Sequence, residues 1–181
     1  MKKIILVIST ALILLVNLSI TASEQTTISD NSALNASWQD NEERFHLHSF
    51  YNYYSCDGIE TKVEKLLSEL GARNVKARAS GCFEANGRLG NSLTIRVKFQ
   101  TLSTDAKAGG ETTKANFQEV HIKPRHPRSV GKGDCQLIDE LQKNILANFE
   151  HSVIKENRSC FPGQQSLGDV DWKLKVLKAE N

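Results

Sequence analysis

The chain has 181 residues, 23 of them basic and 21 acidic, and is 39% hydrophobic. Setting aside the two lysines of residues 1–23 leaves 21 of each sign, so the remaining chain of about 158 residues is formally neutral. Neutrality removes any general electrostatic case for nucleic acid or anionic lipid, and the length fits one domain or two small ones that share a core.

Residues 1–23 read as a secretory signal peptide. Lys2 and Lys3 form its positive start, and Ile4 to Val16 is apolar apart from Ser9 and Thr10. Ser19, Thr21, Ala22 and Ser23 supply small residues for cleavage after Ala22 or Ser23. The apolar stretch is shorter than the roughly 20 residues a membrane span needs, and no later segment qualifies. The mature protein is expected to be secreted or periplasmic.

Residues 24–43 are polar, with Trp38 the one bulky exception, and are expected to form a disordered tether. Residues 44–102 follow as a first β-α-β-β unit. An aromatic run from Phe45 to Tyr54 suggests a strand. Ile59, Val63, Leu66, Leu67 and Leu70 then recur at helical spacing. Asp57 with Glu60 resembles a capping box, and Gly71 stands where the helix should stop. Asn74 to Ser80 and the alternating Leu93, Ile95, Val97 and Phe99 complete the unit as strands.

Residues 103–115 read as a flexible linker, and residues 116–181 as a second β-α-β-β unit. Phe117 to Lys123 is the expected strand, followed by a helical stripe of Ile138, Leu141, Ile145, Leu146 and Phe149. Ser152 to Asn157 and Val170 to Val176 follow as strands. Ser55 to Phe83 and Asp134 to Phe161 align at both ends on a cysteine, with Ile59 over Ile138, Leu66 over Ile145, Leu70 over Phe149 and Lys76 over Lys155. The expected fold is therefore α+β, a tandem duplicate with about six strands in one mixed sheet and two helices on one face. The strands flanking the linker are expected to pair as the hairpin that merges the units.

All four cysteines, Cys56, Cys82, Cys135 and Cys160, lie after the signal, and an even number in an exported chain favours disulfides. A helix of about 14 residues advances about 21 Å, and a seven-residue strand returns about 23 Å. Each unit thus brings its own two cysteines together, predicting Cys56–Cys82 and Cys135–Cys160. Each closes a loop of about 26 residues, worth about 3.5 kcal/mol on chain-entropy arithmetic.

No nucleophile elbow, metalloprotease helix, phosphate-binding loop or dinucleotide loop occurs, and no cofactor is implied. The chain reads as a non-enzymatic protein that binds an unknown protein or cell-envelope component or plays a structural role. The surfaces proposed for that partner are the aromatic run with Tyr51, Tyr53 and Tyr54, and the basic stretch His121 to Lys132 with Arg125, Arg128 and Lys132. The alternative is a small hydrolase or metal-dependent enzyme of the cell envelope. It would use His46 and His48, which share a face of a strand, with His121 as a third candidate metal ligand.

Overall fold

The computed structural model describes residues 33–49, 52–84, 87–105, 110–131, 133–158 and 170–180. The signal-like segment, Tyr51, Lys132 and Cys160 lie outside them. The elements are β1 (Leu34–His48), α1 (Cys56–Glu69), β2 (Arg73–Ser80), β3 (Ser92–Ser103), β4 (Thr112–Ile122), α2 (Cys135–Asn144), a 3-10 turn (Leu146–Asn148), β5 (His151–Arg158) and β6 (Val170–Ala179). The strands form one antiparallel six-stranded sheet in the order β2-β3-β1-β4-β6-β5.

One face of the sheet holds the core. Phe45 and Leu47 of β1 alternate inward and pair with Ile95 and Leu93 of β3. Val120 and Ile122 of β4 pair in the same way with Leu174 and Trp172 of β6. These side chains form a single buried cluster with Ile59, Val63, Leu66 and Leu67 of α1 and Leu137, Ile138 and Leu141 of α2. A smaller cluster of Ala36, Leu102, Ala115 and Leu177 lies on the opposite face where β1 meets β4.

Helix α1 begins two residues earlier than a capping box on Asp57 implies. Ser55 is its N-cap, and the hydroxyl accepts from Gly58 N at 3.2 Å. Glu60 is engaged elsewhere: its carboxylate accepts from Ala79 N at 2.8 Å, and Glu64 accepts from Ala77 N at 3.0 Å. Two helix carboxylates thus occupy the outward amides of edge strand β2, which would otherwise template another strand. Gly71 ends the helix at φ +92°, where a side chain would be strained.

Three expectations change. The sheet is antiparallel at every pairing rather than mixed, because each strand lies beside one that runs the opposite way. The first strand starts at Leu34, so residues 34–43 of the expected tether belong to β1. Its polar inward residues are held by side-chain bonds, including Asn41 Nδ2 to Thr101 Oγ1 at 2.9 Å, which composition alone does not reveal. The two halves are also not merged by a β3–β4 hairpin. β1 lies between those strands, and β4 pairs with it over Leu34–Ser37 and Thr112–Ala115.

The Cys56–Cys82 disulfide is present, with the Cα atoms 5.5 Å apart. Cys135 is also disulfide-bonded; the Cys160 end of the expected second pair lies outside the described residues. Among the described residues no helix is long and apolar enough to cross a membrane.

A buried carboxylate ties the halves together. Asp134, fully buried just before α2, accepts from Tyr54 Oη at 2.6 Å, Asn52 Nδ2 at 3.1 Å, Lys62 Nζ at 2.6 Å and Gly131 N at 2.6 Å. The Lys62 ammonium also sits 5.3 Å above the Tyr54 ring. Burial and then the Asp134 charge push the Tyr54 hydroxyl above its ordinary pKa, so it stays a donor. Asp134→Ala strands these donors and is expected to cost about 3–5 kcal/mol in a urea titration. Tyr54→Phe removes one bond and should cost about 1–2 kcal/mol.

Candidate functional site

The expected sites divide into surface and structure. Tyr53 is 61% exposed, but Tyr54 is buried and its hydroxyl is committed to Asp134. Arg125 and Arg128 are exposed on a loop folded onto itself. Arg125 N donates to Val130 O at 2.8 Å, and Lys123 and His126 form a reciprocal backbone bridge. Arg128 lines a cavity of about 430 Å³ with Glu64, Lys65 and Glu69 of α1. The negative charge favoured at the N-terminus of α2 is supplied by Asp134 itself.

His46 and His48 do share a face. They line a cavity of about 230 Å³ with Gln136, Asp139, Glu140 and Lys143 of α2. His46 Nδ1 lies 2.9 Å from the Thr94 hydroxyl. His121 is on β4, its Nε2 2.6 Å from Asp171. Among the described residues no three His, Cys, Asp or Glu side chains converge as a metal site.

The concentration of uncommitted charge is on the sheet face turned away from α1. In an antiparallel sheet, directly paired residues share a face. Arg78 of β2 pairs with Arg96 of β3, and Arg96 pairs with Arg44 of β1. Three guanidinium side chains therefore start from one straight row, at about 4.8 Å per strand. The next row is Lys76, Lys98 and Glu42, and the row on the other side is Ser80, Thr94 and His46. Arg44, Arg78, Ser80, Thr94 and Arg96 line one concavity of about 300 Å³.

Carboxylates offset this charge only in part. Glu42 is shared between Lys98 at 3.2 Å and Arg96 at 3.8 Å. Glu60 reaches Arg78 at 3.2 Å, while its other oxygen holds the Ala79 amide. The side chains of Arg44 and Lys76 have no hydrogen bond or ion pair among the described residues. Like charges directly opposed across strands are destabilising, and Arg78 and Arg96 remain 79% and 58% exposed at their side chains.

The same face of β4, β6 and β5 is organised differently. His121 pairs with Lys173, and Lys173 with Lys155. Here each cation meets an acid. Asp171 receives Lys155 and His121, and Glu119 receives Lys173 at 3.0 Å. The hydrogen bonds from Lys155 and then His121 bring the Asp171 carboxyl down to about 2.

The sequence reading missed Arg44, Arg78 and Arg96. A signal existed in the two-residue spacing of Lys76 with Arg78 and of Arg96 with Lys98, which places each pair on one face of a strand. The register joining the strands had no local signature, and Arg44 stood at the margin of a segment read as tether.

No protein-family model, curated protein or solved structure matches the chain.

Because the Asp171 pKa is depressed in the folded state, its contribution to stability is present above about pH 4 and is lost as the pH falls toward 2. Unfolding midpoints of the wild-type protein and Asp171→Asn, followed from pH 7 to 2, should differ most above about pH 4 and converge at the acid end.

Proposed function

We propose that this is an exported, non-enzymatic binding protein whose partner docks on the outer face of β2, β3 and β1. The observation that carries the reading is the Arg78–Arg96–Arg44 row, three like charges that the chain opposes to one another without a matching acid for each. The groups best suited to catalysis are occupied: Asp134 by four donors, Cys56 and Cys135 by disulfides. An envelope or extracellular component with exposed negative charge suits this surface. The disulfide fits an oxidising compartment.

We also infer a tandem duplication. The element order strand-helix-strand-strand occurs twice, and the sheet order mirrors about the β1–β4 pair. The register supports it independently of the cysteines. Glu42, Lys76 and Lys98 form one cross-strand row, and His121, Lys155 and Lys173 form another. The same shift of 79 positions that sets Lys76 over Lys155 also sets Glu42 over His121 and helix cap Ser55 over Asp134.

A second reading, a metal-dependent enzyme, draws on the cavity holding His46, His48, Asp139 and Glu140. Elemental analysis after dialysis decides it. Stoichiometric zinc that disappears in His46→Ala and His48→Ala would support the enzyme reading; the binding reading expects none.

For the binding face itself, the protein should be retained on sulfated dextran at low salt in spite of its formal neutrality. Arg96→Ala with Lys98→Ala should elute at clearly lower salt, whereas Lys65→Ala on the exposed side of α1 should elute unchanged.

A further inference from the structure

We propose that the Arg78–Arg96–Arg44 row, with the hydroxyls of Ser80 and Thr94, is a binding site for a phosphate monoester group. This rests on the reading of that face as the docking surface and names the chemistry it recognises.

The argument starts from the difference between the two halves. Under the 79-residue correspondence, Arg44 matches Lys123 and Arg78 matches Asn157. Arg96 is the cross-strand partner of Arg78, and the partner of Asn157 is Asp171. The centre of the row is therefore a guanidinium in the first half and a carboxylate in the second. In the second half that carboxylate receives His121 and Lys155 from the strands on either side. Its place in the first half is held by a third cation. Glu60 and Glu42 offset Arg78 and Arg96 from the side, Arg44 has no acid of its own among the described residues, and the anion that completes the balance is taken from outside the chain.

The shape and the donors specify that anion. The concavity of about 300 Å³ over the row is lined by three arginines and two hydroxyl side chains. Arginine presents a planar fork of N–H donors that matches the oxygens of phosphate, and several such forks on one group suit a dianion with three terminal oxygens. A phosphodiester has one charge and two free oxygens, and a carboxylate has one charge and two oxygens. Each would leave part of the row unbalanced. Lys76 and Lys98 in the adjacent row extend the positive potential about 7 Å along the strands, for further negative charge on the same ligand.

The experiment follows the arginine side-chain N–H signals of the purified protein by NMR. Inorganic phosphate and glycerol 3-phosphate should each shift the signals of Arg44, Arg78 and Arg96 saturably, against sodium chloride at matched ionic strength. Arg96→Ala should weaken binding at least tenfold, while Lys65→Ala should not change it. Arg96→Ala should also leave the urea midpoint unchanged or raised, because it relieves repulsion. A lowered midpoint would mark Arg96 as a structural residue and overturn the assignment.

Vesicles separate the sources of the group. Preference for phosphatidic acid over phosphatidylglycerol vesicles, tighter than glycerol 3-phosphate, assigns it to a lipid headgroup. Equal binding of glycerol 3-phosphate and vesicles assigns it to a free phosphorylated ligand. Equal binding of the two vesicle types, or identical shifts with phosphate and chloride, overturns the monoester site. If Arg96-dependent retention on sulfated dextran persists in that case, the docking face stands and only its ligand chemistry is wrong. If retention is lost as well, both readings fall.

Discussion

The relative placement of the two halves depends on one buried carboxylate. Their shared sheet contact is short, four residues of β1 against four of β4, and four backbone pairs fix a register more firmly than an angle. Asp134 supplies what they lack. Three of its four donors, from Asn52, Tyr54 and Lys62, come from the first half, and the fourth is the Gly131 amide of the second. A charge removed from water is tolerated only when it is paired and hydrogen-bonded, so few placements of α2 against α1 are compatible with folding. Apolar packing alone would accept a small slide between the helices. The carboxylate penalises such a slide, and the Phe99–Phe149 stack at 5.9 Å and the Glu150 bonds to Ser103 and Thr104 add further points of registration.

With the helices locked on one side, the opposite side of the sheet is left to its own side chains. An open sheet offers two kinds of surface, its edges and its face. The β2 edge is closed by Glu60 and Glu64, and the pairing of β5 is broken by a register shift between Val153 and Lys155. Both devices discourage strand addition. Recognition through the face remains, and there the charges are laid out in two dimensions by strand spacing and pleat. Net charge is silent about such a layout: neutrality over the chain coexists with a cationic field over β2, β3 and β1.

What was legible in the sequence was whatever repeats locally. The helices appear in the spacing of Ile59, Val63 and Leu66 and of Ile138 and Leu141, and β3 in its strict alternation. The Cys56–Cys82 pair follows from element lengths. What was not legible depended on contacts distant in the chain. β1 runs eleven residues further back than its aromatic segment suggests, because Asn41 and Glu43 are held by Thr101 and Asn148, partners about 60 and 105 positions away. The join between halves was misplaced for the same reason: without the early part of β1 as a strand, β3 and β4 were the only available neighbours. Tyr54 looked like part of a recognition surface because an aromatic run does not disclose which hydroxyl meets a buried acid.

On the proposed duplication, the two copies differ most tellingly at two corresponding positions. At the helix cap, the first copy has Ser55, a neutral hydroxyl serving its own helix. The second has Asp134, turned toward the other copy. Across the outer face, the first copy centres its row on Arg96 and the second on Asp171. Each difference is a single exchange of charge with opposite consequences. A carboxylate at 134 balances a lysine of the neighbouring copy and joins the pair. An arginine at 96 leaves a row that its own copy balances only in part. The apolar stripes and the first cysteine of each unit preserve the scaffold, so changes at these two places could alter assembly and recognition without altering the fold. In a duplicated chain, a charge present in one copy and absent or reversed in the other marks where the copies have stopped doing the same work.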